Sequence, residues 1–215
     1  MSIIATSGGS FAKQLTPAGT YLARCYSMVH IGTLEDDFGG EKRLVNKVRF
    51  TFELPTETRI FAPEKGEQPI VIDKEFTLSM HEKSTLRAFL TSWRGKGFTE
   101  DEARRFDVTK LLGVPCMLSI IHEPSKKDPS KIYERISSVS SVMKGVTCPD
   151  QINPTFMFSL AEFDEAKFDS LPDWLRDKIS QSKEYRFIKE SEKSHQKEVE
   201  KKLETFNDNS DDLPF

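Results

Sequence analysis

In RLVNKVRFTFEL, residues 43–54, Val48, Phe50, Phe52 and Leu54 alternate with Lys47, Arg49, Thr51 and Glu53. A period of two places the four apolar side chains on one face and the polar ones on the other, which is the pattern of a half-buried β-strand. Upstream, residues 20–31 are rich in Tyr, Val, Ile and other strand formers, and Pro17-Ala18-Gly19 marks a turn into them. Between the two strands, Glu35 to Gly40 is expected to form a hairpin loop. Residues 1–17 begin with small polar groups (Ser7-Gly8-Gly9-Ser10) and are expected to form a flexible arm.

Downstream, residues 55–68 carry Pro55, Pro63 and Gly66 and are expected to be a longer connection to a third strand at 70–80. A helix follows over 82–93, where Leu86, Phe89, Leu90 and Trp93 recur at helical spacing and Ser84 is placed to start the regular turns. Arg94-Gly95-Lys96-Gly97 stops it. Thr99 with Glu102 three residues on is a capping box for a second short helix. Asp107 opens a last turn, and two more strands, 114–122 and 131–142, are joined by a turn holding Lys126 and Lys127. The fold is therefore mainly β with helical additions. Three strands, a helical insert between strands 3 and 4, then two strands is the element order of a five-stranded OB-fold barrel, here over residues 18–145.

After Pro149, Asn153 and Pro154, residues 146–188 are expected to be a helical appendage. Pro172 at its first turn precedes Trp174, Leu175 and Ile179 on one face, above Phe156, Phe158, Phe163 and Phe168. Residues 189–215 are a charged spacer and an acidic tail, and Glu/Lys pairs at helical spacing suit a solvated helix in the first part.

The 215 residues carry a net charge of −3, unevenly spread. Residues 1–145 hold 21 Lys/Arg against 18 Asp/Glu; residues 146–215 hold 10 against 16. A mildly basic body with an acidic end fits a polyanion binder, although many inert domains have such a balance. No apolar run is long enough to span a membrane, and residues 1–12 lack the pattern of a signal peptide. Cys25, Cys116 and Cys148, an odd number without a C-x-x-C pair, are expected to be reduced structural thiols of a cytoplasmic protein. His30, His81, His122 and His195 lack metal-ligand spacing with them, so no metal or other cofactor is expected. A D-x-D pair for a two-metal nuclease, a phosphate-binding G-x-x-x-x-G-K-[ST] loop and a G-x-S-x-G elbow do not occur. Binding rather than catalysis is the expectation.

The chain closes on Asp211-Asp212-Leu213-Pro214-Phe215. Such a segment buries too little apolar surface to offset its ordering entropy and is expected to be disordered. A terminal Phe behind a stiffening Pro is also a good peptide ligand, because the ring fills a pocket while its carboxylate meets an Arg or a backbone nest. An ordinary acidic terminus is the plainer alternative. This ending resembles the acidic tails of bacterial-type single-stranded DNA-binding proteins, which commonly end in aspartates, an apolar residue, Pro and Phe. With the strand order of residues 18–143, and Phe76-Thr77-Leu78-Ser79 leading into Leu86, Phe89 and Leu90, the chain resembles the phage-type members of that group. The resemblance implies an OB barrel that coats single-stranded DNA in replication, recombination or repair. It also implies a tail that recruits partner proteins, placed in the host cytoplasm if phage-encoded.

Single strands are held by a basic groove with aromatic rings on which bases stack. On an OB-fold that surface lies on strands 2 and 3 and the flanking loops. The candidate residues are therefore Arg43, Lys47 and Arg49 on strand 2, Lys74 on strand 3, and Lys126 and Lys127 in the loop between strands 4 and 5. Phe38, Phe61 and Tyr133 are the candidate stacking rings, with Tyr26 and Phe76 as further ones. A solvated face accounts for the same lysines and arginines, and core packing for the same rings. The rival function is an adaptor whose OB domain binds protein. Oligomeric state has no signal in the sequence.

Overall fold

The computed structural model describes residues 15–61, 63–125 and 128–208, with the backbone alone for Phe38 and residues 198–208. The protein is mainly β, with a six-stranded sheet and several helices. Strand β1 (Gly19–Phe38) pairs antiparallel with β2 (Glu41–Ile60), and β2 with β3 (Glu67–Thr77). On its other edge β1 pairs antiparallel with β4 (Pro115–Pro124), which pairs with β5 (Ile132–Ser140). The order is β3-β2-β1-β4-β5, and β6 (Phe156–Phe158) adds parallel to β1. At the two ends of that order, the Lys74 ammonium on β3 donates to the Ile136 carbonyl on β5 at 2.7 Å.

The first two strands run well past their expected ends. The hairpin between them tightens to Gly39-Gly40, and the expected long connection after residue 54 is mostly strand. Cross-strand pairing explains the extension. Glu35, Asp36 and Asp37 face Leu44, Arg43 and Lys42 in register, so the acidic stretch that reads as a loop is matched by basic residues opposite.

Between β3 and β4 come α1 (Thr85–Arg94), α2 (Glu100–Arg104) and a 3₁₀ turn at Val108–Leu111. Their starts follow the local chemistry: Ser84 accepts from the Arg87 N–H, Thr99 and Glu102 form the reciprocal capping box, and Asp107 accepts from Thr109. Helix α1 closes over the apolar face of β2. Phe50, Phe52 and Leu54 are fully buried, and a chain of rings runs Phe50–Phe76–Phe89, with centroids 5.4 and 4.8 Å apart. Trp93 packs on Phe52 at 5.4 Å and donates its indole N–H to the Pro115 carbonyl. Each such side chain contributes about 1.5–3 kcal/mol through burial.

A second core lies on the opposite face of β1. Val29 and Ile31 meet Phe158, Leu160, Phe168, Leu171, Leu175 and Ile179, supplied by β6, α3 (Glu165–Asp169) and α4 (Asp173–Ser180). Gly32 lets the appendage approach this closely. Its φ is +92°, and a Cβ there would lie 2.6 Å from Ser182 Cβ and 2.7 Å from a Leu160 methyl. Helix α5 (Lys183–Asp208) starts on this core through Tyr185 and Ile188 and continues as one piece. No helix among the described residues is long and apolar enough to cross a membrane.

The chain is anchored earlier than its small polar start implies. Thr16 is buried, donates its N–H to Glu134 and accepts from His122 through its carbonyl, so residues 15–17 are not part of a free arm. Residues 1–14 lie outside the described residues.

Candidate nucleic-acid interface

Alternation along β2 puts Lys47, Arg49, Thr51 and Glu53 on the face away from α1, as the sequence implies. That face is not an open groove. Glu53 is 0% exposed: its carboxylate accepts from the Ile152 and Asn153 backbone N–H groups at 2.6 and 2.8 Å and from the Asn153 amide at 2.7 Å. Lys47, whose side chain is 19% exposed, pairs with Asp36 at 2.6 Å across the β1–β2 hairpin. Arg49 pairs with Asp73 and, at 3.5 Å, with Glu75, its register partner on β3. Its guanidinium also sits 4.6 Å from the centre of the Trp174 ring. Next to it, Lys178 of α4 donates to the Glu75 carboxylate at 2.6 Å. The polar face of β2 is thus in large part the seat of the appendage. Local pattern could not reveal this, because every group the appendage brings to this face is about 100 or more residues away in sequence.

Trp174 corrects a sequence expectation. Leu175 and Ile179 of α4 are buried, but Trp174 turns away from them and is 49% exposed. One turn separates it from Lys178, so the same helix side delivers the indole to Arg49 and the ammonium to Glu75.

Beyond this covered zone, a cleft of about 700 Å³ opens along the β3–β5 junction, bordered by Arg49, Lys74 and Arg135 and by Asp73, Glu75 and Glu123. Lys74 is half-buried over the Phe76 and Phe89 rings, and burial holds its ammonium below the ordinary lysine range, opposed by Glu123. It acts as a tie between strands as well as a wall of the cleft. Arg135 carries no signal in the sequence, because the alternation in residues 131–142 is weak.

Two expected stacking rings are exposed beside arginines. Tyr133 on β5 is 38% exposed with the Arg135 guanidinium 5.8 Å from its ring centre, and Phe61, at the tip after β2, is 58% exposed with Arg59 at 5.9 Å. Phe76 is core, not groove, and Tyr26 is half-buried among Glu53, Arg49 and Asp73, with burial first and the carboxylates next pushing its phenol up. Arg43 stands exposed near the β1–β2 turn and pairs with Glu41. The Phe38 side chain, Lys126, Lys127 and the tail residues Asp211, Asp212, Leu213, Pro214 and Phe215 lie outside the described groups.

The three cysteines converge in the interior. Cys25 on β1 and Cys116 on β4 are buried, Cys148 points at the Ala23 carbonyl, and burial pushes all three thiols up. Among the described residues no group of His, Cys, Asp and Glu is arranged to hold a metal. Comparison with known proteins finds no matching family model, curated protein or solved structure.

Proposed function

We propose that the chain is an OB-fold protein that holds single-stranded DNA without sequence preference and recruits partner proteins through residues 208–215. The observation that carries this reading is the strand order β3-β2-β1-β4-β5, with Lys74 drawing β3 to β5 and an open cleft along that junction bordered by Arg49, Lys74 and Arg135. A five-stranded barrel closes at the β3–β5 pair, and its ligand surface spans strands 2 and 3 and neighbouring loops. Exposed Tyr133 and Phe61, each beside an arginine, supply π-faces of the kind on which any base stacks. The acidic run ending in Leu213-Pro214-Phe215 supplies an anchor ring with charges that steer toward a basic partner.

One feature of the cleft favours the adaptor reading. Asp73, Glu75 and Glu123 match its three cations, a balance better suited to a protein ligand than to a run of phosphates. The test is anisotropy of labelled oligo-dT and of a duplex of equal length, across a salt series. The DNA reading expects tighter binding of the single strand, with log affinity falling linearly against log salt as counterions are released. Equal, weak binding of both, or affinity that is flat in salt, would leave the adaptor. Deleting residues 208–215 is expected to abolish capture of replication proteins while leaving oligo-dT affinity equal or higher, because negative charge is removed.

A further inference from the structure

Trp174 is half-exposed on a helix whose core contacts are already made by Leu175 and Ile179. Its indole, an apolar ring with a polar N–H, is of the kind enriched at interfaces. One part of the ring is fixed: the Arg49 guanidinium lies 4.6 Å from its centre, and Arg49 is itself held by Asp73 and Glu75. Lys178, one turn on, bonds Glu75 through both carboxylate oxygens, at 2.6 and 2.8 Å. The cross-strand pair Arg49–Glu75 therefore receives two prongs from one side of α4, and together these set the helix rotation and the plane of the indole.

Arg49 also borders the β3–β5 cleft, and so does Arg135. Each of these two cleft arginines has an aromatic partner, Arg49 in Trp174 and Arg135 in Tyr133, and both rings are partly open to solvent. The second ring comes from a strand of the sheet, the first from the C-terminal appendage.

We infer that Trp174 is a nucleobase-stacking subsite, which makes the appendage part of the single-strand-binding surface rather than a spacer. The claim rests on the proposed function above. A fixed π-face backed by a guanidinium accepts any base, with the cation reinforcing the stack.

Trp174 can be followed directly, because Trp93, the other tryptophan, is buried in the first core. Oligo-dT titrated into the full chain is expected to quench tryptophan emission, and W174F is expected to abolish the quench while the Trp93 emission stays constant. W174A is expected to weaken oligo-dT binding on the order of tenfold or more, read by anisotropy of the labelled oligonucleotide. Should W174A also lower the melting temperature, W174L keeps an apolar cover on Arg49 without a π-face, and the same loss of affinity is expected from it. Binding of oligo-dT with unchanged emission, or with W174A and W174L as tight as the wild type, would overturn the subsite and leave the proposed function standing. No binding by the wild-type chain would overturn both.

Discussion

The outer face of β2 and the cleft along the β3–β5 junction are both lined by charged residues on strands, yet they differ in what meets them. On β2, Glu53 is sealed by residues 152–153, Lys47 is paired with Asp36, and Arg49 lies under Trp174. Along the cleft, Arg135 and Glu123 face open space, with Tyr133 beside them. Charge on a strand therefore does not identify a ligand surface. The first zone spends its polar groups on holding the appendage; the second keeps Arg135 and Glu123 exposed, while Arg49, Lys74, Asp73 and Glu75 on its other side are paired. Substitutions of the groups that hold the appendage, such as Glu53, should be felt as stability, and those of exposed rings and of Arg135 as affinity.

The largest effect is expected at Glu53. Removing a buried carboxylate that satisfies three donors leaves those donors unpaired, and E53A should cost on the order of 3–5 kcal/mol in denaturant unfolding. Should E53A melt like the wild type, the covered zone would be a loose contact and the contrast would collapse. Gly32→Ala comes next. The positive φ and the approach to Ser182 and Leu160 together should cost about 2–3 kcal/mol, and protease cleavage of the appendage should increase before the rest of the chain yields.

In the open zone, Y133A and F61A should each weaken oligo-dT binding by about 1–3 kcal/mol, with melting temperatures close to wild type. Lost stability with intact affinity would return these rings to a structural role.

The smallest effect is a pH dependence at the appendage. Burial works to raise the Glu184 carboxyl, but hydrogen bonds from the Thr33 hydroxyl and backbone N–H outweigh it and hold the group below the usual carboxylate range. A carboxylate with a depressed folded-state value stabilises above its unfolded value of about 4.3 and loses that contribution as pH falls through the folded value. Proteolysis of the appendage should therefore rise below about pH 4 in the wild type. E184Q, which keeps one acceptor and no charge, should be more susceptible at pH 7 and should show a flatter dependence on acid. An identical acid profile in E184Q would remove Glu184 from the docking contact.

Much of the fold was legible from local chemistry. Period-two alternation identified Val48, Phe50, Phe52 and Leu54 as one buried face, and Ser84, Thr99 and Asp107 marked their turns through side chains that satisfy N–H groups two or three residues on. The strand ends were less legible, since Glu35-Asp36-Asp37 reads as a loop until Lys42 and Arg43 are placed opposite. Strand β6 was missed because three residues are too short to show a period, and its hydrogen-bonding partner, β1, lies more than 100 residues earlier.

By itself, then, the sequence determined which residues of β2 share a face, where α1 and α2 begin, and that charge separates a mildly basic body from an acidic end. These properties follow from neighbours one to four positions apart. Only the tertiary structure decided whether a polar face meets water or protein. Glu53 with Asn153, Glu75 with Lys178, Thr33 with Glu184 and Arg49 with Trp174 each join groups about 100 or more residues apart. A charged side chain on a strand looks the same in sequence whether its partner is water, a carboxylate or an indole. The partner is chosen when the chain folds back on itself.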